Sequence, residues 1–323
     1  MIKNRLVLID SFALIFRAFY GIPPTLTRDG HPINAAYGFA SALLAAIKEL
    51  QPEYLVACFD LPKPTKRHLE YVDYKATRKP MPDDLVPQIQ YCKKVLETMN
   101  IPIVSAEGYE GEDIAATIIK GIEDSGIENI IVTGDSDTFQ LIDQSTKVYS
   151  MARGVQQAVM YDENKVKERY NVNPSQFVDL KALKGDSSDN IPGVPGIGEK
   201  TASNLIEKFQ TLDNLYNVIL NGSEESKKVP SQAQDDKIQK LSEKLKISKK
   251  VLSLLIEYKD QAYLSQKLSQ IVSDAPIEFK LSDAKIHDFD KEKVEKLFLD
   301  LGFKSLIPRI HKSNREDNRL SLF

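Results

Sequence analysis

Leu6-Val7-Leu8-Ile9-Asp10, four apolar residues closed by an acid, sets the architecture of the chain. A short apolar run bounded by polar residues fits a buried strand, and a parallel one when both of its faces are covered. The same device recurs at Tyr54–Phe59, which ends at Asp60, and at Ile130–Thr133, which runs into Gly134-Asp135-Ser136-Asp137. Ile101–Val104 supplies a fourth short strand. Between these runs, the Ala- and Leu-rich Ala35–Leu50 reads as a helix with Asn34 as its cap. Asp83–Met99 reads as a second helix, and Glu110–Lys120 as a third that begins in a cluster of acids. Strands alternating with helices imply an α/β domain with a mostly parallel central sheet.

The acids carry the chemistry. Asp10, Asp60 and Asp135 fall just past the carboxyl ends of predicted strands, the edge at which open α/β sheets bind ligands. Glu110, Glu112 and Asp113 join them from a helix N-terminus, where carboxylates are favoured even without a metal. Asp137 follows Asp135, and Asp186 and Asp189 open the stretch Gly185–Ala202, GDSSDNIPGVPGIGEKTA. These nine acids come with no histidine or cysteine. An all-oxygen set suits Mg²⁺ or Mn²⁺ rather than zinc. Nine acids exceed the needs of one ion, which points to the two-ion arrangement that hydrolyses phosphodiesters. The competing reading of any single acid is a helix cap or a solvated face. In Gly193-Val194-Pro195-Gly196-Ile197-Gly198, glycine serves either a positive φ or the close approach of a backbone. Amides beside a helix N-terminus can face a phosphate, with Lys200 adding charge; an ordinary helix-loop-helix is the alternative. No strand precedes this turn and no Gly-Lys-Ser/Thr follows, so it is not a nucleotide-binding loop.

Leu61–Pro82 breaks the alternation. It is bounded by prolines and holds six Lys/Arg against two acids. A connection this long is a lid, a binding loop or disorder, and Tyr71 and Tyr74 among the bases favour a nucleic-acid surface. From about Ser175 the pattern turns helical: Phe177–Leu183, then Thr201–Phe209 after the glycine-rich turn. A polar loop is expected at Asn221–Asp236. Lys237–Lys259, with seven Lys against two Glu, has apolar residues at helical spacing, and Gln261–Ile271 and Lys291–Leu299 read as further helices.

The totals permit this reading. The 323 residues are 42% hydrophobic, enough for one sizeable core or two small ones. A net charge of -3 does not argue against nucleic acid, because a cluster of acids masks basic patches elsewhere. Two cysteines, Cys58 and Cys92, imply no disulfide framework and a reducing compartment. The N-terminal apolar run is too short for a signal peptide, and no stretch suits a membrane span. The expectation is a cytoplasmic, monomeric protein.

In order and spacing, several motifs resemble the 5′-nuclease domain of bacterial DNA polymerase I and its stand-alone relatives, within the wider flap-endonuclease family. They are Leu8-Ile9-Asp10 with Phe16-Arg17-Ala18, Phe59-Asp60, Tyr74-Lys75-Ala76 with Arg78, and Met81-Pro82-Asp83-Asp84. Gly108-Tyr109-Glu110-Gly111-Glu112-Asp113, Thr133-Gly134-Asp135-Ser136-Asp137 and Gly185–Ala202 complete the set. The likeness covers most of Met1 to about Pro276. It implies a PIN-like, Rossmann-like sheet with helices on both faces in residues 1–174, with a helical arch at 61–82. It also implies a helical DNA-binding subdomain at 175–272, containing a helix-hairpin-helix-type (helix-3-turn-helix) motif, and an extension at 273–323.

The activity implied is a divalent-metal-dependent 5′-3′ exonuclease and 5′-flap endonuclease. It would act on branched, flapped or nicked DNA and on RNA primer remnants, in replication and repair, leaving a 5′-phosphate and a 3′-hydroxyl. Asp10, Asp60, Glu110, Glu112, Asp113, Asp135, Asp137, Asp186 and Asp189 fall on the carboxylate positions for two or three Mg²⁺, with Mn²⁺ as substitute. Lys75, Arg78 and Arg17 fall on basic positions facing the scissile phosphate. Tyr74, Lys66, Arg67, Gly193, Gly196, Gly198, Lys200 and Thr201 fall on DNA-contacting positions, with K⁺ expected at the 193–201 hairpin.

There are departures from the family pattern. Gly111-Glu112-Asp113 stands where Ala-Asp-Asp is usual, Ser11 where glycine is common, and Lys66 where an aromatic is common. Glu112 adds a methylene at a site where Mg²⁺ wants near-ideal geometry, and Gly111 is expected to supply room. A non-catalytic DNA-structure-binding protein with a spoiled site, or an RNA-directed nuclease, are the competing readings. With no polymerase region in the chain, primer removal is expected to rely on a separate polymerase and ligase. Arg319–Phe323, through Leu320, Leu322 and Phe323, resembles the bacterial sliding-clamp-binding peptide.

Overall fold

The structure is a computed structural model that describes residues 4–223, 231–286 and 289–311. The chain divides into two compact units. Unit 1 comprises residues 1–65, 79–162 and 271–323; unit 2 comprises 66–78 and 163–270. The basic segment predicted at 61–82 is therefore shared, its middle belonging to the helical unit.

Unit 1 is built on the first apolar run. β1 (Arg5–Asp10) lies inside a sheet completed by β4 (Tyr54–Cys58), β5 (Ile103–Val104), β6 (Glu128–Thr133), β7 (Thr146–Ser150) and β8 (Val159–Tyr161). Two-residue strands β2 (Thr27–Arg28) and β3 (His31–Pro32) form a separate hairpin. The sheet order is β5-β4-β1-β6-β7-β8, parallel except for β8, which runs antiparallel to β7. Register pairs Leu6 with Tyr54 and Asn129, and Ile9 with Ala57 and Val132. Leu6, Val7, Leu8 and Ile9 are each fully buried, which explains a run without polar alternation. Helices Ser11–Gly21, Asn34–Leu50, Val86–Thr98 and Gly111–Gly121 flank the sheet. Val294, Phe298 and Phe303, from helix Lys291–Asp300 and the turn after it, lie in the same core as Phe39 and Leu43.

Several expectations change. Asn34 does not cap its helix; Ile33 holds that place. The buried Asn34 amide instead donates to the carbonyls of Phe19 (3.0 Å) and Ile22 (2.8 Å), satisfying the end of the preceding helix. Ser11–Gly21 is a helix that its mixed pattern hides, and β7 and β8 escape notice because they lie at the more polar edge of the sheet. The C-terminal helix belongs to the unit 1 core rather than to an extension.

Unit 2 is helical: Glu163–Tyr170, Phe177–Lys184, Glu199–Phe209, Leu212–Ser223, Ser231–Leu245, Lys249–Glu257 and Lys259–Ser269. Helix occupies both ends of the loop expected at Asn221–Asp236; residues 224–230 lie outside the described residues. The lysine-rich stretch is two helices, parted where Lys246 takes a positive φ of 49°. The Lys66–Arg78 excursion begins with a short helix, Lys66–Glu70, and is anchored by Arg67. Arg67 is 7% exposed and donates to the carbonyls of Leu268 (3.1 Å) and Gln270 (2.8 Å), closing the end of helix Lys259–Ser269.

Candidate metal and phosphate sites

In unit 1, Asp10, Asp135 and Asp137 are tied together through the Thr133 hydroxyl and two backbone amides. Asp10 caps helix Ser11–Gly21, its Oδ1 accepting from the Ala13 amide (3.2 Å), while Oδ2 accepts from Thr133 Oγ1 (2.6 Å) at the end of β6. Thr133 Oγ1 accepts in turn from the Asp135 amide (2.9 Å), and Asp135 Oδ1 from the Asp137 amide (3.0 Å). One hydrogen-bonded chain thus runs from Asp10 to Asp137 across adjacent strands. Asp60 accepts from the Gly111 amide at 2.5 Å. A Cβ on Gly111 would stand 3.0 Å from Asp60 Oδ1, so glycine permits this approach. Glu110 and Asp113 form a capping box, the Glu110 amide donating to Asp113 Oδ2 (3.0 Å). Asp113 Oδ1 accepts from the Val272 amide (3.0 Å), so both oxygens of this buried acid hold backbone. Glu112 is half-buried beside them.

Oxygen donors alone, fixed in direction by amides and a hydroxyl, fit a hard divalent cation by their chemistry. Among the described residues, no group of three or more His, Cys, Asp or Glu is gathered as a ready metal cage. Arg17, half-buried in unit 1, donates to the Ala152 carbonyl, and burial lowers its pKa.

Unit 2 holds the remaining acids in a closed turn. The Asp186 and Ile191 backbones exchange two hydrogen bonds, both 2.8 Å. Gly193 packs against Gly185: a Cβ there would stand 2.2 Å from the Gly185 amide nitrogen, and its φ is +61°. Asp189, buried, accepts from Tyr74 Oη (3.1 Å), pairs with Arg78, and lies 3.8 Å from Lys75 Nζ. The Lys75 amide donates to the Asp189 carbonyl (2.9 Å). Asp186 pairs with the buried Lys181 at 2.6 Å and accepts from the Ser188 amide and hydroxyl. Burial would raise the Asp186 pKa, but Lys181 and Ser188 outweigh it and hold it at about 2.

Seven of the expected metal ligands thus belong to unit 1, and Asp186 and Asp189 belong to unit 2. Lys75 and Arg78 converge on Asp189. Arg67 and Tyr74, expected on a DNA surface, are buried, and the Gly193 amide is committed to Ser265 Oγ (3.0 Å). Lys66, Gly196, Gly198 and Lys200 are exposed, and Thr201 is half-exposed beside them. Lys181 and Thr133 escape the sequence reading. A lysine amid the apolar face of Phe177–Leu183 was the available signal for the first; the second opens a quoted motif, but nothing there marks its hydroxyl as a bridge between Asp10 and Asp135. Leu320, Leu322 and Phe323 lie outside the described residues.

Comparison with known proteins identifies the class. Residues 5–171 match the 5′-3′ exonuclease N-terminal resolvase-like domain, and residues 172–292 the 5′-3′ exonuclease C-terminal SAM fold. The chain belongs to the 5′-3′ exonuclease family. It is 37% identical to DNA polymerase I of Caldicellulosiruptor bescii over 309 residues, which is 95% of this chain and 33% of that protein. It is 36% identical to DNA polymerase I of Bacillus subtilis over 314 residues, 97% of this chain and 33% of that one. The chain thus spans about a third of the length of these curated relatives. The fold is that of phage T5 5′-exonuclease, solved with divalent zinc ions bound (TM-score 0.61, 21% identity, 93% of this chain and 99% of that). It is also that of the Rad2 catalytic core, solved with DNA substrate (TM-score 0.57, 17% identity, 95% and 93%). Among the described residues, no helix is long and apolar enough to cross a membrane.

Proposed function

We propose that the chain is a divalent-metal-dependent, structure-specific 5′-3′ exonuclease and 5′-flap endonuclease acting on flapped or nicked DNA and RNA primer remnants. The observation that carries this is the chain of strand-end acids from Asp10 through Thr133 to Asp135 and Asp137, in a fold shared with nucleases. Asp10, Asp60, Glu110, Glu112, Asp135 and Asp137 would hold Mg²⁺ or Mn²⁺, with Asp113 fixing the helix start. The bound ions would supply charge neutralisation and water activation in phosphodiester hydrolysis. Lys75 and Arg78 would stabilise charge developing on the phosphoryl group. Arg17 would be held for the same task by the Ala152 carbonyl.

In unit 2 the assignment is to duplex DNA. The exposed Gly196, Gly198 and Lys200, with the half-exposed Thr201, lie at the start of helix Glu199–Phe209, as expected of a helix-hairpin-helix-type phosphate grip, with K⁺ as its partner ion. The PIN-like description of unit 1 and the clamp-docking role of Leu320–Phe323 belong to the same reading. Deleting residues 320–323 is expected to abolish clamp binding by calorimetry; unchanged affinity would remove the docking role.

The test of the main reading is Mg²⁺-dependent release of a labelled 5′ flap, abolished by Asp135→Asn. Flap DNA that binds but stays uncut in both Mg²⁺ and Mn²⁺ would make this a non-catalytic DNA-structure-binding protein.

A further inference from the structure

The 193–201 hairpin of unit 2 is backed by the last two helices of that unit. The Gly193 carbonyl accepts from Gln261 Nε2 (2.7 Å), and the Gly193 amide donates to Ser265 Oγ (3.0 Å). A Cβ on Gly196, at a φ of +80°, would stand 3.2 Å from Leu254 Cδ1, so the hairpin backbone rests on helix Lys249–Glu257. Leu254 thus ties that helix to the grip. Lys250 lies one turn before Leu254, on the same helical face and about 6 Å back along the axis. Each strand of duplex DNA advances ~3.4 Å per phosphate, so this step matches about two phosphates. The turn before the helix is closed. Ile247 is buried, its amide donates to the Ser242 carbonyl (3.1 Å), and its carbonyl accepts from Ser242 Oγ (2.7 Å). Lys246 and Lys250, on either side of this anchor, are exposed. Among the described residues, Lys184 is paired with Glu199 (3.0 Å), whereas no ion pair joins Lys200, Lys246 or Lys250 to an acid. Charges of one sign on and beside the hairpin favour a polyanion of regular spacing over a single small anion.

We propose that Lys250, with Lys246 beyond it, extends the phosphate grip of the hairpin along duplex DNA. Gly196, Gly198 and Lys200 hold one stretch of backbone, and the two lysines take phosphates next to it. The proposal rests on the reading of 193–201 as a phosphate grip. Both lysines act on the backbone by charge, without regard to base sequence, and are binding residues rather than catalytic ones.

The test is binding of a labelled nicked duplex by the full chain without divalent ions, followed by fluorescence anisotropy over a series of salt concentrations. Each phosphate contact adds ~0.9 to the slope of log affinity against log salt. Lys250→Gln is expected to lower that slope by about one. Lys246→Gln/Lys250→Gln is expected to lower it by about two and to weaken binding about tenfold at low salt. Lys246→Arg/Lys250→Arg should keep the wild-type slope. Lys296→Gln, which removes an exposed charge from unit 1, controls for net charge and should leave the slope unchanged. A thermal melt confirms that each variant is folded. A folded Lys246→Gln/Lys250→Gln chain that keeps the wild-type slope, while Lys200→Gln lowers it, would overturn the proposal and leave the grip standing. An equal drop in Lys296→Gln would overturn the proposal too. A slope unmoved by Lys200→Gln and by the double variant alike would remove the grip and the proposal together.

Discussion

Gly111 shows how one missing carbon shapes the acid cluster. Its amide reaches Asp60 at 2.5 Å, and a Cβ would stand 3.0 Å from the same oxygen. Gly111→Ala is expected to leave the fold intact, push Asp60 aside by a few tenths of an ångström, and slow flap cleavage about tenfold, since small misplacements in an active site are costly. A folded variant with an unchanged rate would show that Asp60 tolerates the shift. A second residue works at the opposite end of the sheet. Glu128, 7% exposed, is paired with Arg5 (2.7 Å) and Lys147 (2.8 Å). Burial alone would raise its pKa, but the two cations outweigh burial and lower it. A carboxylate depressed in the folded state adds stability above its ordinary pKa and loses it as pH falls through the lowered value. Denaturant midpoints should therefore drop between pH 7 and pH 3 by less in Glu128→Gln than in wild type, and an equal drop would remove the pair from the acid sensitivity.

At the scale of elements, the closed turn of unit 2 depends on two backbones passing in contact. Gly193→Ala would place a Cβ 2.2 Å from the Gly185 nitrogen at a φ of +61°. A loss of more than about 3 kcal/mol, read from chemical denaturation, is expected from overlap and strain together. Arg67→Ala leaves two carbonyls at the end of helix Lys259–Ser269 without their charged donor, a loss of about 3 kcal/mol. If either variant melts as wild type, that contact does not stabilise the unit. These elements also show what was legible. β1, β4 and β6 are buried on both faces, so their apolar runs announce them and place Asp10, Asp60 and Asp135 at the sheet edge. β7, with its sequence TKVYS, has no such run, and helix Ser11–Gly21 is masked by aromatic residues on several faces. Arg67 and Tyr74 read as a nucleic-acid surface because charge and aromaticity are visible in sequence. Long-range partners such as the Leu268 carbonyl and Asp189 are not.

At the scale of the whole molecule, the polypeptide passes between its two units four times, after residues 65, 78, 162 and 270. The unit 1 core is closed by residues near its end: Val294, Phe298 and Phe303 are each fully buried. Ser305 Oγ bonds Tyr37 Oη (2.9 Å), and Arg309 bonds Ser41 (2.9 Å). A chain stopped after Asp290 is expected to aggregate or melt well below one stopped after His311, because it leaves this core open; equal melting temperatures would show that helix Lys291–Asp300 is dispensable.

That late closure bears on synthesis. All eight strands among the described residues have left the ribosome once Tyr161 has, yet Phe298 follows 137 residues later. At roughly 5–20 residues per second the sheet waits on the order of ten seconds for helix Lys291–Asp300. Meanwhile every residue of unit 2 has emerged by Gln270. The unit that starts second can therefore finish first, and the nascent sheet is the stretch of this chain that most needs a chaperone.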